Sequence, residues 1–170
     1  MQIAVEARYD TFAGTPALGA VRLVISFAAT LDSRGQRRRL LGLHDISVAF
    51  YHATIDEDIY VIPPRGEDDE GWVWQLLRAM YGTRRASFLF QKLVIEKLLA
   101  AGFVRIIVAT QLFWHSVREI LTSVHGDDFL SAAEPKQLDW LDDEMLEAEF
   151  ELKTLPRVGP PELGGTAEGS

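Results

Sequence analysis

The sharpest chemical feature of the sequence is a pair of adjacent carboxylates, Asp127 and Asp128. They follow His125-Gly126 between two apolar runs, a pattern that predicts a tight β-hairpin at 125–128. Adjacent carboxylates repel each other unless a cation or a proton compensates, and oxygen ligands select Mg²⁺ or Mn²⁺ rather than Zn²⁺. The dipeptide taken alone also fits an ordinary solvated turn.

Asp45 is the third carboxylate of interest, because it lies near the end of an apolar, strand-like run. Alone it fits a strand-end or turn residue, since a carboxylate is costly to bury without a partner. If its strand lies beside the 125–128 hairpin, the carboxylates converge. They could then hold two ions that clamp the attacking and leaving oxygens of a phosphoryl transfer.

The elements that position these residues follow from hydrophobic periodicity and from turn residues. Antiparallel strands with segregated helices predict an α+β domain. Two of the helices should cover one face of the sheet, with the carboxylates on the other. The pattern predicts helices over 16–30, 86–101 and 135–150, and strands over 40–46, 58–62, 72–77, 111–115, 119–124 and 129–132.

Composition limits the classes of protein that remain. Hydrophobic residues make up 48% of the 170-residue chain, which excludes disorder throughout. The absence of cysteine excludes disulfides and thiolate metal sites. The sequence shows no signal peptide, and the apolar stretch at 17–31 is shorter than a membrane span. These features predict an intracellular location in an unknown compartment and no membrane partner.

The net charge of −8 opposes nucleic acid unless positive charge is gathered locally. Two arginine clusters could offset part of this repulsion: Arg34, Arg37, Arg38 and Arg39, and then Arg84 with Arg85.

Four sequence blocks, in this order, resemble the reverse transcriptases of copia-type retrotransposons. The blocks are H-D-I-S-V-A-F-Y-H-A at 44–53, D-E-D-I-Y-V-I-P-P at 56–64, W-Q-L-L-R-A-M-Y-G-T-R-R-A-S at 74–87 and S-V-H-G-D-D-F-L at 123–130. Together the resemblance covers about residues 15–155.

The resemblance implies an RNA-directed DNA polymerase whose palm has an antiparallel sheet with helices packed on one face. It implies two Mg²⁺ or Mn²⁺ ions, a template-primer and deoxynucleoside triphosphates as partners. Asp45 and Asp127 match the metal-binding aspartates, and Asp128 matches the third carboxylate. Phe50 matches the aromatic that lies under the sugar and excludes a 2′-hydroxyl, and Arg84 with Arg85 are expected to bind substrate.

The resemblance also predicts the domain organisation. Residues 1–14 correspond to a remnant of the fingers, 15–155 to the palm-like domain and 156–170 to a disordered tail, with no thumb. The family usually has glutamine and proline where this chain has Arg85 and Ser87. We therefore expect weak metal binding and little or no primer extension from the isolated chain.

Two alternatives stay open. One is a non-catalytic, degenerate fragment of a retrotransposon polyprotein. The other is a different palm-like enzyme such as a nucleotide cyclase, which also pairs strand aspartates but leaves residues 56–64 and 74–87 unexplained.

Overall fold

A six-stranded antiparallel sheet organises residues 18–64 and 71–166, the part of the chain that the computed structural model describes. The strands of this sheet are β1 (Leu40–Ile46), β4 (Val104–Arg105), β5 (Leu112–His115), β6 (Ile120–His125), β7 (Asp128–Ala133) and β8 (Leu152–Thr154), while β2 (Tyr60–Val61) and β3 (Trp74–Gln75) form a separate two-stranded ribbon. The strand order in the large sheet is β4-β5-β6-β7-β1-β8.

Helices cover both faces of the large sheet. They are α1 (Leu18–Ala29), α2 (Ala49–His52), α3 (Ala86–Ala100) and α4 (Pro135–Asp139), and α4 continues as a π-helix (Trp140–Leu146). Helices α2, α3 and α4, with its π-helical continuation, pack on one face, where Phe90, Leu138 and Leu146 are buried with Phe129 of β7. On the opposite face, α1 buries Val24 in a smaller apolar cluster.

The structure therefore agrees with the predicted α+β class, because it has a mostly antiparallel sheet with segregated helices. The helices predicted over 86–101 and 135–150 pack on one face, as expected, but the broader expectation that all helices lie on one face is wrong, because α1 lies on the other. The reason is the composition of the central strands. Phe129 and Ala133 of β7 face one cluster, while Leu130 and Ala132 face the other, so both faces are apolar and both need cover.

Several element boundaries agree closely with the sequence pattern. The strand predicted over 40–46 is β1, and the helix predicted over 86–101 ends before Gly102, whose φ of +96° suits glycine. The strands predicted over 58–62 and 72–77 shorten to two residues each, since among the described residues no third strand pairs with the ribbon. Residues 1–17, including the predicted finger remnant, and residues 65–70 lie outside the described part of the chain. Within the described ranges, no helix is long and apolar enough to cross a bilayer.

A buried ionic network fixes β1 to the helical layer. His44 Nε2 lies 2.6 Å from Asp142 Oδ1 in the π-helix. Arg157 donates to Asp142 Oδ2 at 2.8 Å and to Asp139 Oδ1 at 2.7 Å. Burial alone raises the pKa of Asp142, but His44 and Arg157 outweigh this effect and lower it below its usual value.

The segment after β8 makes defined contacts, although the sequence predicts a disordered tail from residue 156. The backbones of Leu41 and Val158 exchange hydrogen bonds at 2.9 Å, and Val158 also bridges to Thr166. The segment is held there because Arg157 reaches the buried Asp142 carboxylate. Residues 167–170 lie outside the described part of the chain.

Replacing Arg157 by leucine should lower the free energy of unfolding by about 3 kcal/mol at neutral pH, because the buried Asp142 then keeps its charge without the guanidinium of Arg157. The loss should shrink as the pH falls below about 4. Because the pKa of Asp142 is lower in the folded state than in the unfolded state, its stabilisation is fully present above the unfolded-state pKa and is lost as the pH falls through the folded-state pKa. Urea unfolding at several pH values measures both effects.

The control is Arg38→Leu, which removes the ion pair of the more exposed Arg38 with Glu134. Its cost should stay below about 1 kcal/mol. Equal losses in the two variants would contradict the role given to the buried network.

Candidate active site

Four polar side chains form one row across adjacent strands at the hairpin end of the sheet. The β-pairing sets Asp45 of β1 directly opposite Asp128 of β7. On the outer sides of this pair, His125 of β6 is opposite Asp128 and Lys153 of β8 is opposite Asp45. Directly opposite residues project from the same sheet face with Cβ atoms about 5 Å apart. The backbone therefore brings two carboxylates together between two basic side chains.

The same end of the sheet carries a groove of about 330 Å³. Its polar part contains Asp45, Asp128 and His125, and its apolar part reaches Val21 of α1. The groove therefore offers carboxylate ligands beside an apolar wall. Its lining residues are Val21, Leu43, His44, Asp45, Ser123, His125, Asp128, Phe129, Leu130 and Leu155.

Asp127 lies in the turn between β6 and β7, next to Asp128. Its carbonyl oxygen accepts a hydrogen bond from the backbone N–H of Ile46 at 3.0 Å, so the hairpin tip is attached to the end of β1. The pKa of Asp128 is raised by burial first, and then by the negative charges of Asp127 and Asp45, while His125 opposes the increase. The three aspartates thus form one electrostatically coupled group.

The donor atoms of Asp45 and Asp128 suit a divalent cation, but their side chains are not placed to surround one. Asp45 and Asp128 are hard oxygen donors on one face, and a nearby cation would relieve the repulsion that raises the pKa of Asp128. However, as the side chains are placed, the described residues contain no group of three His, Asp or Glu side chains that could hold a metal ion. Side chains must therefore rotate before they can coordinate a cation. The strand register already places the two carboxylates opposite each other.

The other residues predicted to bind substrate lie outside this groove as the described residues define it. Phe50 of α2 packs against Tyr81, with ring centroids 4.4 Å apart, and against Phe90. Arg85 forms an ion pair with Asp56 at 3.0 Å, and Arg84 is exposed just before α3. The fold therefore brings the aspartates together and holds Phe50, Arg84 and Arg85 apart from them.

Sequence reasoning missed two members of the polar row, Lys153 and His125. His125 is visible in the hairpin motif, but its orientation follows from the β6–β7 register. Lys153 belongs to a short strand whose partner cannot be read from the local sequence. Val48 was also missed. It adopts φ +47° between Asp45 and Phe50, a conformation that is strained for a β-branched residue and occurs most often at functional sites.

Comparison with known proteins decides the family. The family described as reverse transcriptase (RNA-dependent DNA polymerase) matches residues 1–160. The chain belongs to this reverse transcriptase family. It is 33% identical over 120 residues to a transposon Ty5-1 protein of Saccharomyces cerevisiae, covering 67% of this chain and 39% of that protein. No solved structure shows significant similarity to the chain.

A second relative of the chain is the retrovirus-related Pol polyprotein from transposon RE1 of Arabidopsis thaliana. It is 29% identical over 107 residues, which cover 61% of this chain and 7% of the polyprotein. The chain thus spans less than half the length of either relative. The resemblance to copia-type retrotransposon enzymes is confirmed.

The electrostatic coupling among the three aspartates predicts a measurable shift in the titration of Asp128. Asp45→Asn should lower the pKa of Asp128, because it removes one of the negative charges that raise it. Carboxyl-carbon NMR in a metal-free buffer measures the titration directly. Asp143→Asn, at an exposed position of the π-helix, is the control and should leave Asp128 unchanged. An unshifted Asp128 in Asp45→Asn would mean that the two carboxylates do not face each other.

Proposed function

We propose that the chain is the catalytic palm of an RNA-directed DNA polymerase from a copia-type retrotransposon. The reaction is nucleotidyl transfer, in which a primer 3′-oxygen attacks the α-phosphate of a deoxynucleoside triphosphate and pyrophosphate leaves. The observation that carries the proposal is the placement of Asp45 opposite Asp128 at a groove on one sheet face. Family membership supports this class of reaction, and the register supports a site at the hairpin end of the sheet.

Asp45, Asp127 and Asp128 would hold two Mg²⁺ or Mn²⁺ ions. Such ions stabilise the attacking and leaving oxygens of an in-line phosphoryl transfer. The protein's own contribution is to keep the carboxylates on adjacent strands, so that only side-chain torsions change when ions bind. Positioning of this kind provides much of the acceleration in phosphoryl transfer.

Lys153 is suited to a supporting role because it is opposite Asp45 on the outer strand. An ammonium group at this position would attract an anionic phosphate. Lys153 is exposed, so substrate can reach it. This places one positive charge beside the carboxylates in a chain whose net charge is −8.

The resemblance matches Phe50 to the steric gate at the sugar, and because its ring packs outside the groove this role requires the bound nucleotide to extend beyond the groove toward α2. Its packing on Tyr81 gives the ring a fixed support, and a flat ring beside the 2′ position would clash with a ribonucleotide hydroxyl. Of the two arginines assigned to substrate, Arg84 is exposed. Arg85 would first have to leave its ion pair with Asp56.

The proposal is tested by metal binding and primer extension with the whole purified chain. Isothermal titration should show Mg²⁺ and Mn²⁺ binding that weakens at least about tenfold in Asp45→Asn and in Asp128→Asn, because each removes a ligand. Asp143→Asn, exposed on the π-helix, is the matched control and should bind as the native chain does. Extension of a labelled DNA primer on an RNA template should be slow at most, and absent in both ligand variants.

The possible outcomes separate the alternatives. Binding that is unaffected by either aspartate variant contradicts the proposed site. Aspartate-dependent binding with no detectable extension in either ion identifies a non-catalytic palm, the alternative left open by the sequence. Extension that survives Asp128→Asn shows that synthesis does not depend on this groove.

A further inference from the structure

The loop between α1 and β1 presents two exposed arginines, Arg34 and Arg37, from a defined turn. The Asp32 carboxylate accepts hydrogen bonds from the backbone N–H groups of Arg34 at 2.8 Å and of Gln36 at 2.9 Å. Leu31 and Arg37 close the turn with a β-bridge. Within the described part of the chain, neither guanidinium group has an ion pair or a hydrogen bond. The turn therefore leaves two positive charges available to an anionic partner.

This arginine turn, residues 31–37, lies on the same sheet face as the carboxylate groove and at the opposite end of the sheet. The loop is attached to α1, because the guanidinium carbon of Arg39 lies 4.1 Å from the centroid of the Phe27 ring. The same helix lines the groove through Val21. Arg39 also pairs with Glu119, which precedes β6, and the hairpin follows the other end of that strand. The turn and the groove are thus at the two ends of α1.

The length of β1 sets the separation between the arginine turn and the carboxylates. The strand begins at Leu40, next to the turn, and reaches Asp45 near its other end. A strand rises about 3.4 Å per residue, and the turn lies beyond its start, so the guanidinium groups are on the order of 20 Å from the groove. Phosphates along one strand of a duplex are about 3.4 Å apart, so this separation spans about six base pairs.

The two faces of the sheet differ in charge. Residues 18–31, which include α1, contain a single charged side chain, that of the exposed Arg22. Residues 134–153, most of which belong to the helical layer of the other face, contain eight acidic residues and two lysines. A polyanion is therefore repelled from the helical layer and attracted to the α1 face. A net charge of −8 is thus compatible with nucleic-acid binding on this one face.

We propose that Arg34 and Arg37 bind the phosphate backbone of the template-primer duplex about six base pairs behind the primer terminus, with the duplex lying along α1. The proposal rests on the proposed function, because it takes the groove at Asp45 and Asp128 as the place of the primer terminus. Phosphate contacts fix the register of a duplex without reading its sequence. The two arginines are therefore positioning residues and do not contact the reacting atoms.

The first test measures the binding of RNA–DNA hybrid hairpins to the whole chain by fluorescence anisotropy, with stems of about four and about ten base pairs. The native chain should bind the longer stem more tightly, because only this stem reaches the arginine turn. In the double variant Arg34→Gln/Arg37→Gln, this preference should disappear, and the slope of log affinity against log salt should fall by about two. The control is Lys92→Gln/Lys97→Gln on α3, which removes the same charge from the helical layer and should keep the preference and the slope.

The second test uses the native chain and therefore does not depend on whether a variant folds. Single methylphosphonate groups, each of which removes one phosphate charge, are placed along the longer stem. Affinity should fall most when the uncharged group lies about six base pairs from the primer terminus, where the arginine turn is expected to bind. Equal effects at every position would show that the duplex is not held in one register and would overturn the proposal.

The duplex path and the proposed function can fail separately. If metal binding depends on Asp45 and Asp128 but the stem preference is unchanged in the arginine variant, the duplex path is wrong and the proposed function stands. If the arginine variant loses the stem preference but neither aspartate variant affects metal binding, the turn binds a duplex and the proposed catalytic site is wrong. A native chain that binds neither stem overturns the duplex path.

Discussion

The pairing of β1 with β7 is the constraint on which the site depends. Six backbone pairs run from Leu40 with Ala133 to Asp45 with Asp128. A slip of one residue would turn every side chain of β1 to the other face, because side chains alternate along a strand. Asp45 would then point into the helical layer around Phe90. The apolar residues Leu40 and Ile46, buried on that layer, oppose such a slip. The core thus sets the register that brings the carboxylates together.

The register is supported from the opposite edge of β1 as well. β8 pairs along the final residues of the strand, and the segment beyond it returns to Leu41. The His44–Asp142–Arg157 network joins these parts to the π-helix. A buried ion pair of this kind contributes little net stability compared with apolar packing, but breaking it is costly. The network links the position of β1 to the segment around Arg157. This link supports β1 at the end where the charge of Asp45 repels that of Asp128.

Local sequence patterns predicted much of this arrangement. The boundaries of β1 and α3, and the 125–128 hairpin, follow from short-range periodicity and turn chemistry. Local sequence patterns could not predict which strands distant in the sequence pair with each other. The positions of Lys153 and His125, the packing of α1 on the second face and the contacts of Arg157 all depend on which strands become neighbours. The π-helical turn after Asp139 was also missed, since amphipathic spacing predicts an ordinary α-helix there.

The most direct measurement of the central claim is a crystal structure of the whole chain with bound Mn²⁺, located by its anomalous scattering. Asp45 and Asp128 are opposite each other on β1 and β7, so the ion should lie between their carboxylates, with metal–oxygen distances of about 2.2 Å and the strand register unchanged. An ion bound elsewhere on the protein, or carboxylates of Asp45 and Asp128 on opposite sheet faces, would contradict the account.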